Sequence, residues 1–192
     1  MDLNWDPESS RQWDAFVRER GGALQQAWAY GEALKRLGVR IHRAQVFSGG
    51  RVVATAQFMC RRIPGYLSLA SCTRGPVWHP ELEPQERREI LRRLRSEIPT
   101  PQLRVTLFSP DQTAQELDRA EVSGMLRVMT GYSTAVLDLR QSVDELRAGF
   151  ESKWRNRLVK AEAEKSLQVH ANASVPKCRE LLDREEIGRA HV

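Results

Sequence analysis

The sequence predicts a mixed α/β fold built on a mixed sheet, and three observations carry that expectation. Segments with helical periodicity alternate with strand-like segments along most of the chain. The block 41–78 is spaced as hairpins, which favours a mixed sheet over a pure array of βαβ units. The 192 residues are 41% hydrophobic and include five Trp, enough for a real core.

Taken in order, residues 8–20 read as a first helix with Trp13, Phe16 and Val17 on one side, broken by Gly21-Gly22. A second helix, about 25–37, carries Trp28, Ala29, Ala33, Leu34 and Leu37, and Gly38 is a natural stop. Strands follow at 41–47 and 51–61, joined by Ser48-Gly49-Gly50. Residues 66–72 and 77–78 read as further strands separated by Arg74-Gly75-Pro76. Residues 84–98 form a charged helix with Ile90, Leu91 and Leu94 facing inward. Its arginines are interleaved with Glu83, Glu86, Glu89 and Glu97, the pattern of a salt-bridged surface. A buried-type strand is expected at 103–108, a helix around 114–120, and strands at 125–129 and 134–139. A short strand at 167–170 and a last helix from about 175 complete the series.

The net charge of +5 permits anionic partners without requiring them. Cys60, Cys72 and Cys178 are odd in number, widely spread and in no C-x-x-C pair, which fits reduced thiols and neither a zinc site nor a disulfide framework. His42, His79, His170 and His191 have no metal-ligand spacing, so no metal is expected. The acidic, polar N-terminus lacks a signal-peptide pattern, and no apolar run approaches the ~18 residues of a membrane span. A cytoplasmic protein is the expectation.

The stretch 142–165 is the most informative. Val143, Leu146, Phe150, Trp154, Leu158 and Ala161 step by three or four, predicting one amphipathic helix, and Ser142 with Glu145 forms an S-x-x-E capping box. Between Arg147 and Lys165 six basic residues face three acidic ones. Two readings stand: a docked helix with a solvated basic face, or a cationic surface for a phosphate-bearing partner.

Signatures of familiar catalytic sites are absent: there is no G-x-S-x-G, Walker A, H-E-x-x-H or dinucleotide-binding glycine fingerprint. Arg18-Glu19-Arg20-Gly21-Gly22-Ala23 matches R-x-x-G-x-A, the pyrophosphate loop of acetyl-CoA-dependent N-acetyltransferases. That loop works after a strand, where its amides lie at a helix N-terminus. Here it follows a helix and reads as a helix-ending turn.

Three stretches stand together: Gln26-Ala27-Trp28-Ala29-Tyr30-Gly31-Glu32-Ala33-Leu34-Lys35, then Arg74-Gly75-Pro76-Val77, then Tyr132-Ser133-Thr134-Ala135-Val136-Leu137-Asp138-Leu139 running into Arg155-Asn156-Arg157-Leu158-Val159-Lys160-Ala161. Together they resemble the Fem family of peptidoglycan-bridge aminoacyltransferases, which are built from two GNAT-like domains. Ser166 departs from the family, which has Gly before the strand after the basic helix, and Lys35 lies about one position from the family's lysine.

The resemblance implies a GNAT-like acyltransferase domain at 1–140, lacking its closing C-terminal segment, and the start of a second GNAT-like domain at 141–186. It implies transfer of an aminoacyl group from aminoacyl-tRNA to an amino group of a peptidoglycan precursor, with no cofactor, and peripheral contact with a membrane-bound lipid precursor. Lys35 and Arg74 would contact precursor; Arg155, Arg157 and Lys160 would contact phosphate. It names no catalytic residue in this stretch of chain.

The last six residues, Ile187-Gly188-Arg189-Ala190-His191-Val192, are what translating the start of a common short-read sequencing adapter would give. Native sequence is therefore expected to end near Glu186, leaving an inactive N-terminal fragment. Two other functions fit the same residues. One is a CoA-dependent GNAT-superfamily N-acyltransferase; the other is a non-enzymatic basic nucleic-acid-binding module, against which the aromatic residues do not interleave with the basic ones.

Overall fold

The computed structural model describes residues 1–63, 67–100, 103–112, 122, 124–130, 137–166, 174, 176–177 and 179–180. The chain divides into two compact units, Met1–Tyr132 and Ser133–Val192.

The first unit is a six-stranded mixed sheet with helices on both faces. Its elements are β1 (Asp2–Trp5), α1 (Ser10–Glu19), a 3₁₀ turn (Leu24–Gln26), α2 (Trp28–Arg36), β2 (Arg40–Ser48), β3 (Arg51–Ile63), β4 (Leu67–Thr73), β5 (Val77–Trp78), α3 (Pro84–Glu97) and β6 (Arg104–Ser109). The strand order is β1-β2-β3-β4-β6, with β5 also paired to β3. Every pairing is antiparallel except β4 with β6, which run parallel from Ser68↔Arg104 to Thr73↔Ser109. The parallel pair needs a crossover, and β5 with α3 supplies it.

Local sequence accounts for these elements. Ser9 caps α1 by accepting from the Gln12 amide, and Trp13, Phe16 and Val17 are its buried face. Gly49 and Gly50 both take positive φ between β2 and β3, as a tight hairpin turn requires. In α3, Glu83 and Glu86 form a reciprocal capping box with Pro84 in the first turn.

Strand alternation divides the core. Ala54, Ala56, Phe58 and Cys60 of β3 join Ala44, Val46, Ala70 and Cys72 against Ile90 and Leu94 of α3 and the following Ile98. The Phe58 ring meets Trp5 and Phe108 at centroid distances of 6.0 and 5.8 Å. A smaller cluster on the opposite face joins Trp13, Phe16, Val17 and Val77 to Trp28 and Val52.

Several expectations need correction. β1 was not foreseen; it borders β2 in the register Asp2↔Phe47 to Trp5↔Ala44. β6 is not a buried-type strand, since Val105 is exposed and its other residues are half-buried. Residues 125–129 form no strand, and Leu126, Val128 and Met129 are exposed. The expected helix at 114–120, the strand at 167–170, most of the strand at 134–139 and the tail at 187–192 lie outside the described residues.

In the second unit, the continuous helix expected over 142–165 is two helices, α4 (Val143–Gly149) and α5 (Ser152–Ala163). Phe150 is extended (φ −72°, ψ 142°) and ends the first. The Ser142–Glu145 capping box is present, with the Glu145 carboxylate accepting from the Ser142 amide at 2.8 Å. That bond, seconded by the Ser142 hydroxyl, holds Glu145 below the usual carboxylate range. Val143, Phe150, Trp154 and Val159 are exposed, and Arg147 pairs with Glu162.

Candidate functional site

β3 is long enough to take two partners end to end along one edge. Thr55 and Ala54 pair with β5, while residues from Met59 onward pair with β4. Between them β4 leaves the sheet through the turn at Arg74-Gly75-Pro76, so Gln57 has no strand opposite it on that edge.

The Gln26 side chain fills this place. Its Oε1 accepts from the Gln57 amide at 2.8 Å, and its Nε2 donates to the Gln57 carbonyl at 3.4 Å and to the Thr73 carbonyl at 2.8 Å. A primary carboxamide carries the same donor and acceptor as a peptide group, so one fully buried side chain stands in for a missing strand residue. The Gln26 carbonyl accepts from Trp13 Nε1 at 2.7 Å, which ties the segment to α1. A Cβ on Gly75 would lie 2.5 Å from Gln26 Cδ, so this close approach requires glycine.

A second buried layer extends the network. Gln57 Nε2 donates to the Gln25 and Ala27 carbonyls at 3.0 and 3.1 Å, and its Oε1 accepts from Arg43 Nε at 2.7 Å. Arg43 also donates to the Trp28 carbonyl and to Glu32 Oε1, both at 2.9 Å, with its guanidinium carbon 3.7 Å from the Trp28 ring centroid. The Arg43 side chain is 3% exposed, so its charge needs these partners. Glu32 takes a further hydrogen bond from Lys35 at 3.1 Å; Lys35 first and Arg43 second hold its carboxyl below the usual range.

The turn itself is unusual. Arg74 adopts φ +51°, a left-handed conformation uncommon outside glycine. It stands at the C-terminal end of the parallel pair, where the Gly75 amide donates to the Ser109 carbonyl at 3.3 Å. Ligands of open α/β sheets commonly bind outside such strand ends. Arg74 Nη2 and Nε reach the same oxygen of Asp111, at 2.6 and 3.0 Å.

Of the residues singled out from sequence, Lys35 and Arg74 are each paired with a carboxylate, Glu32 and Asp111. Arg155, Arg157 and Lys160 lie on exposed α5. The 3.6-residue repeat puts Arg157 and Lys160 on one face and turns Arg155 away from them. Arg157 lies 5.2 Å from the Trp154 ring centroid.

The R-x-x-G-x-A match is a helix end: the Gly21 and Gly22 amides donate to Arg18 and Val17 carbonyls, and Gly21 takes φ +63°. Sequence reasoning gave no role to Arg43, Gln57, Glu32 or Asp111. Both Arg43 and Gln57 are buried, bonded to Trp28 and Glu32 and to the Gln25 and Ala27 carbonyls respectively.

No helix among the described residues is long and apolar enough to cross a membrane. No family model and no curated protein matches the sequence. Matches among solved structures include two of different strength. One is FemX, with a TM-score of 0.62 and 21% identity, covering 84% of this chain and 43% of that one. The other is a probable acetyltransferase, with a TM-score of 0.41 and 11% identity, covering 72% of this chain and 99% of that one. The chain thus spans less than half the length of FemX. Over most of its own length it has the mixed α/β, GNAT-like fold expected from sequence, the fold that FemX shares.

Proposed function

We propose that the chain supplies the first GNAT-like domain and the start of the second in an aminoacyltransferase. The donor is aminoacyl-tRNA and the acceptor an amino group of a peptidoglycan precursor. The observation that carries this reading is the FemX fold over 84% of the chain, coinciding with the sequence motifs at 26–35, 74–77 and 132–161.

The chemistry asks for positioning more than activation. The acceptor amine attacks the ester carbonyl carbon, a C–N bond forms, and the ribose oxygen leaves with a proton lost from the amine. An enzyme contributes by holding the reactants together and stabilising the oxyanion between these steps. Lys35 and Arg74 serve as cationic contacts for the precursor, both anchored to the buried network; Arg155, Arg157 and Lys160 serve as phosphate contacts. No cofactor or metal enters this scheme.

The test uses protein from the full reading frame, labelled aminoacyl-tRNA, and nucleotide-linked or lipid-linked precursor. Label should move to the precursor. Transfer from acyl-CoA but not from aminoacyl-tRNA would overturn the donor assignment. Charge reversal at Arg155 and Arg157 should weaken tRNA binding and reduce its log–log salt slope by about 1.4–1.8, the worth of two phosphate contacts. Unchanged tRNA and precursor binding would remove both residues from the site.

A further inference from the structure

We propose that Asp111 is an internal stand-in for an anionic ligand, so that a phosphate group enters the Arg74 turn by exchanging with it. This deepens the proposed function and rests on its placing Arg74 in a phosphate-bearing precursor site. Three observations support it.

The first is the geometry of the ion pair. Arg74 Nε and Nη2 converge on one oxygen, Asp111 Oδ1, instead of meeting two oxygens in a fork. A phosphate presents two oxygens to that edge and satisfies it better. The second is accessibility: the side chains are 42% and 39% exposed, so a ligand can reach the pair and exchange costs little.

The third is the support beneath. Arg74 is held at φ +51° by neighbours fixed on both sides. Gln26 bonds the Thr73 carbonyl, and Ser109 accepts from the Gly75 amide. Strained backbone that its surroundings over-determine points to a positioned side chain. The guanidinium is thereby presented at the ends of β4 and β6, with Asp111 two residues beyond β6 as its internal counter-charge.

Exchange predicts a sign that a merely structural ion pair does not. Asp111→Asn removes the competitor and should tighten binding of inorganic pyrophosphate, measured by calorimetry at low ionic strength, by about two- to fivefold, the worth of an exposed ion pair. Arg74→Ala should lose that binding, and adding Asp111→Asn to it should restore none. Unchanged or weaker binding by Asp111→Asn would overturn the proposal, as would pyrophosphate that binds equally well without Arg74 or does not bind at all. A measurement on unaltered protein is independent of any variant: the Arg74 Nε–H resonance should shift on titration with pyrophosphate, and a resonance that stays in place refutes exchange. These readouts involve no acyl transfer. Failure of exchange therefore leaves the transfer assay standing, and failure of transfer leaves an anion site of another enzyme.

Discussion

Replacing Gln26 by Met keeps a side chain of similar length while removing both the donor and the acceptor. The Gln57 amide and the Thr73 carbonyl, each held at 2.8 Å, lose their partner, as does the Gln57 carbonyl at 3.4 Å. All face a fully buried side chain, and an unsatisfied buried polar group costs about 1–3 kcal/mol. The two short bonds alone give about 2–6 kcal/mol, and at about 2–4 °C per kcal/mol the melting temperature should fall by at least about 4 °C. Gln26→Glu refines the test. A protonated carboxyl still offers one donor and one acceptor, whereas a buried carboxylate offers none to the carbonyls. Burial raises the introduced carboxyl's folded-state pKa above its unfolded value of about 4.3. The variant should then approach the parent protein below that value. It should lose stability as pH rises, by up to about 1.4 kcal/mol per unit until the folded-state pKa is passed. Melting curves by circular dichroism at pH 4 and pH 7 measure both variants. A Gln26→Met fall under about 2 °C, or a Gln26→Glu difference that ignores pH, would refute the reading of Gln26 as a substitute peptide.

Other outcomes follow from the same geometry. Gly31→Ala would drive a Cβ into Gln57 Oε1 and Arg43 Nη2, and should cost about 1–3 kcal/mol of unfolding free energy by urea titration. Glu32→Gln leaves Arg43 its bonds to Gln57 and Trp28 but removes its counter-charge. Stability should fall by about 1 kcal/mol at pH 7, and the difference from the parent should vanish as acid protonates Glu32. Burial raises both Cys60, to about 11, and Cys72, further still. Both thiols should resist alkylation in native protein at pH 8 and react after denaturation, read by mass spectrometry of their peptides. Because the unfolded thiols ionise first, stability should decline as pH rises through about 9 towards 11, by up to about 1.4 kcal/mol per unit for each.

The elements visible in sequence were those whose local pattern and tertiary fate agree. Trp13, Phe16 and Val17 recur at helical spacing and are buried, and Ser48-Gly49-Gly50 forms the turn it suggests. Periodicity failed at Phe150 for a definite reason. Leu146, Phe150 and Trp154 keep a spacing of four across the break, so apolar spacing cannot register an extended residue between two helices. β1 was hidden because four residues, two of them exposed, join the sheet through main-chain pairing with β2. The motifs at 26–35 and 74–77 did bring Gln26, Lys35 and Arg74 forward. What linked them was not legible, because it depends on Arg43 and Gln57 being buried against residues 25–32, contacts between segments distant in sequence.

The Gln26 carboxamide also bears on how the sheet chooses its alignment. Of the five β4 residues paired with β3, Ser68, Ala70 and Ser71 are small, and small side chains distinguish poorly between neighbouring strand registers. Gln26 needs the Gln57 amide and the Thr73 carbonyl together, and sliding β4 along β3 separates that pair. A single buried side chain, reaching in from the 3₁₀ turn between α1 and α2, therefore acts as a gauge of strand alignment. It fixes by polar chemistry what the packing of small residues leaves loosely specified.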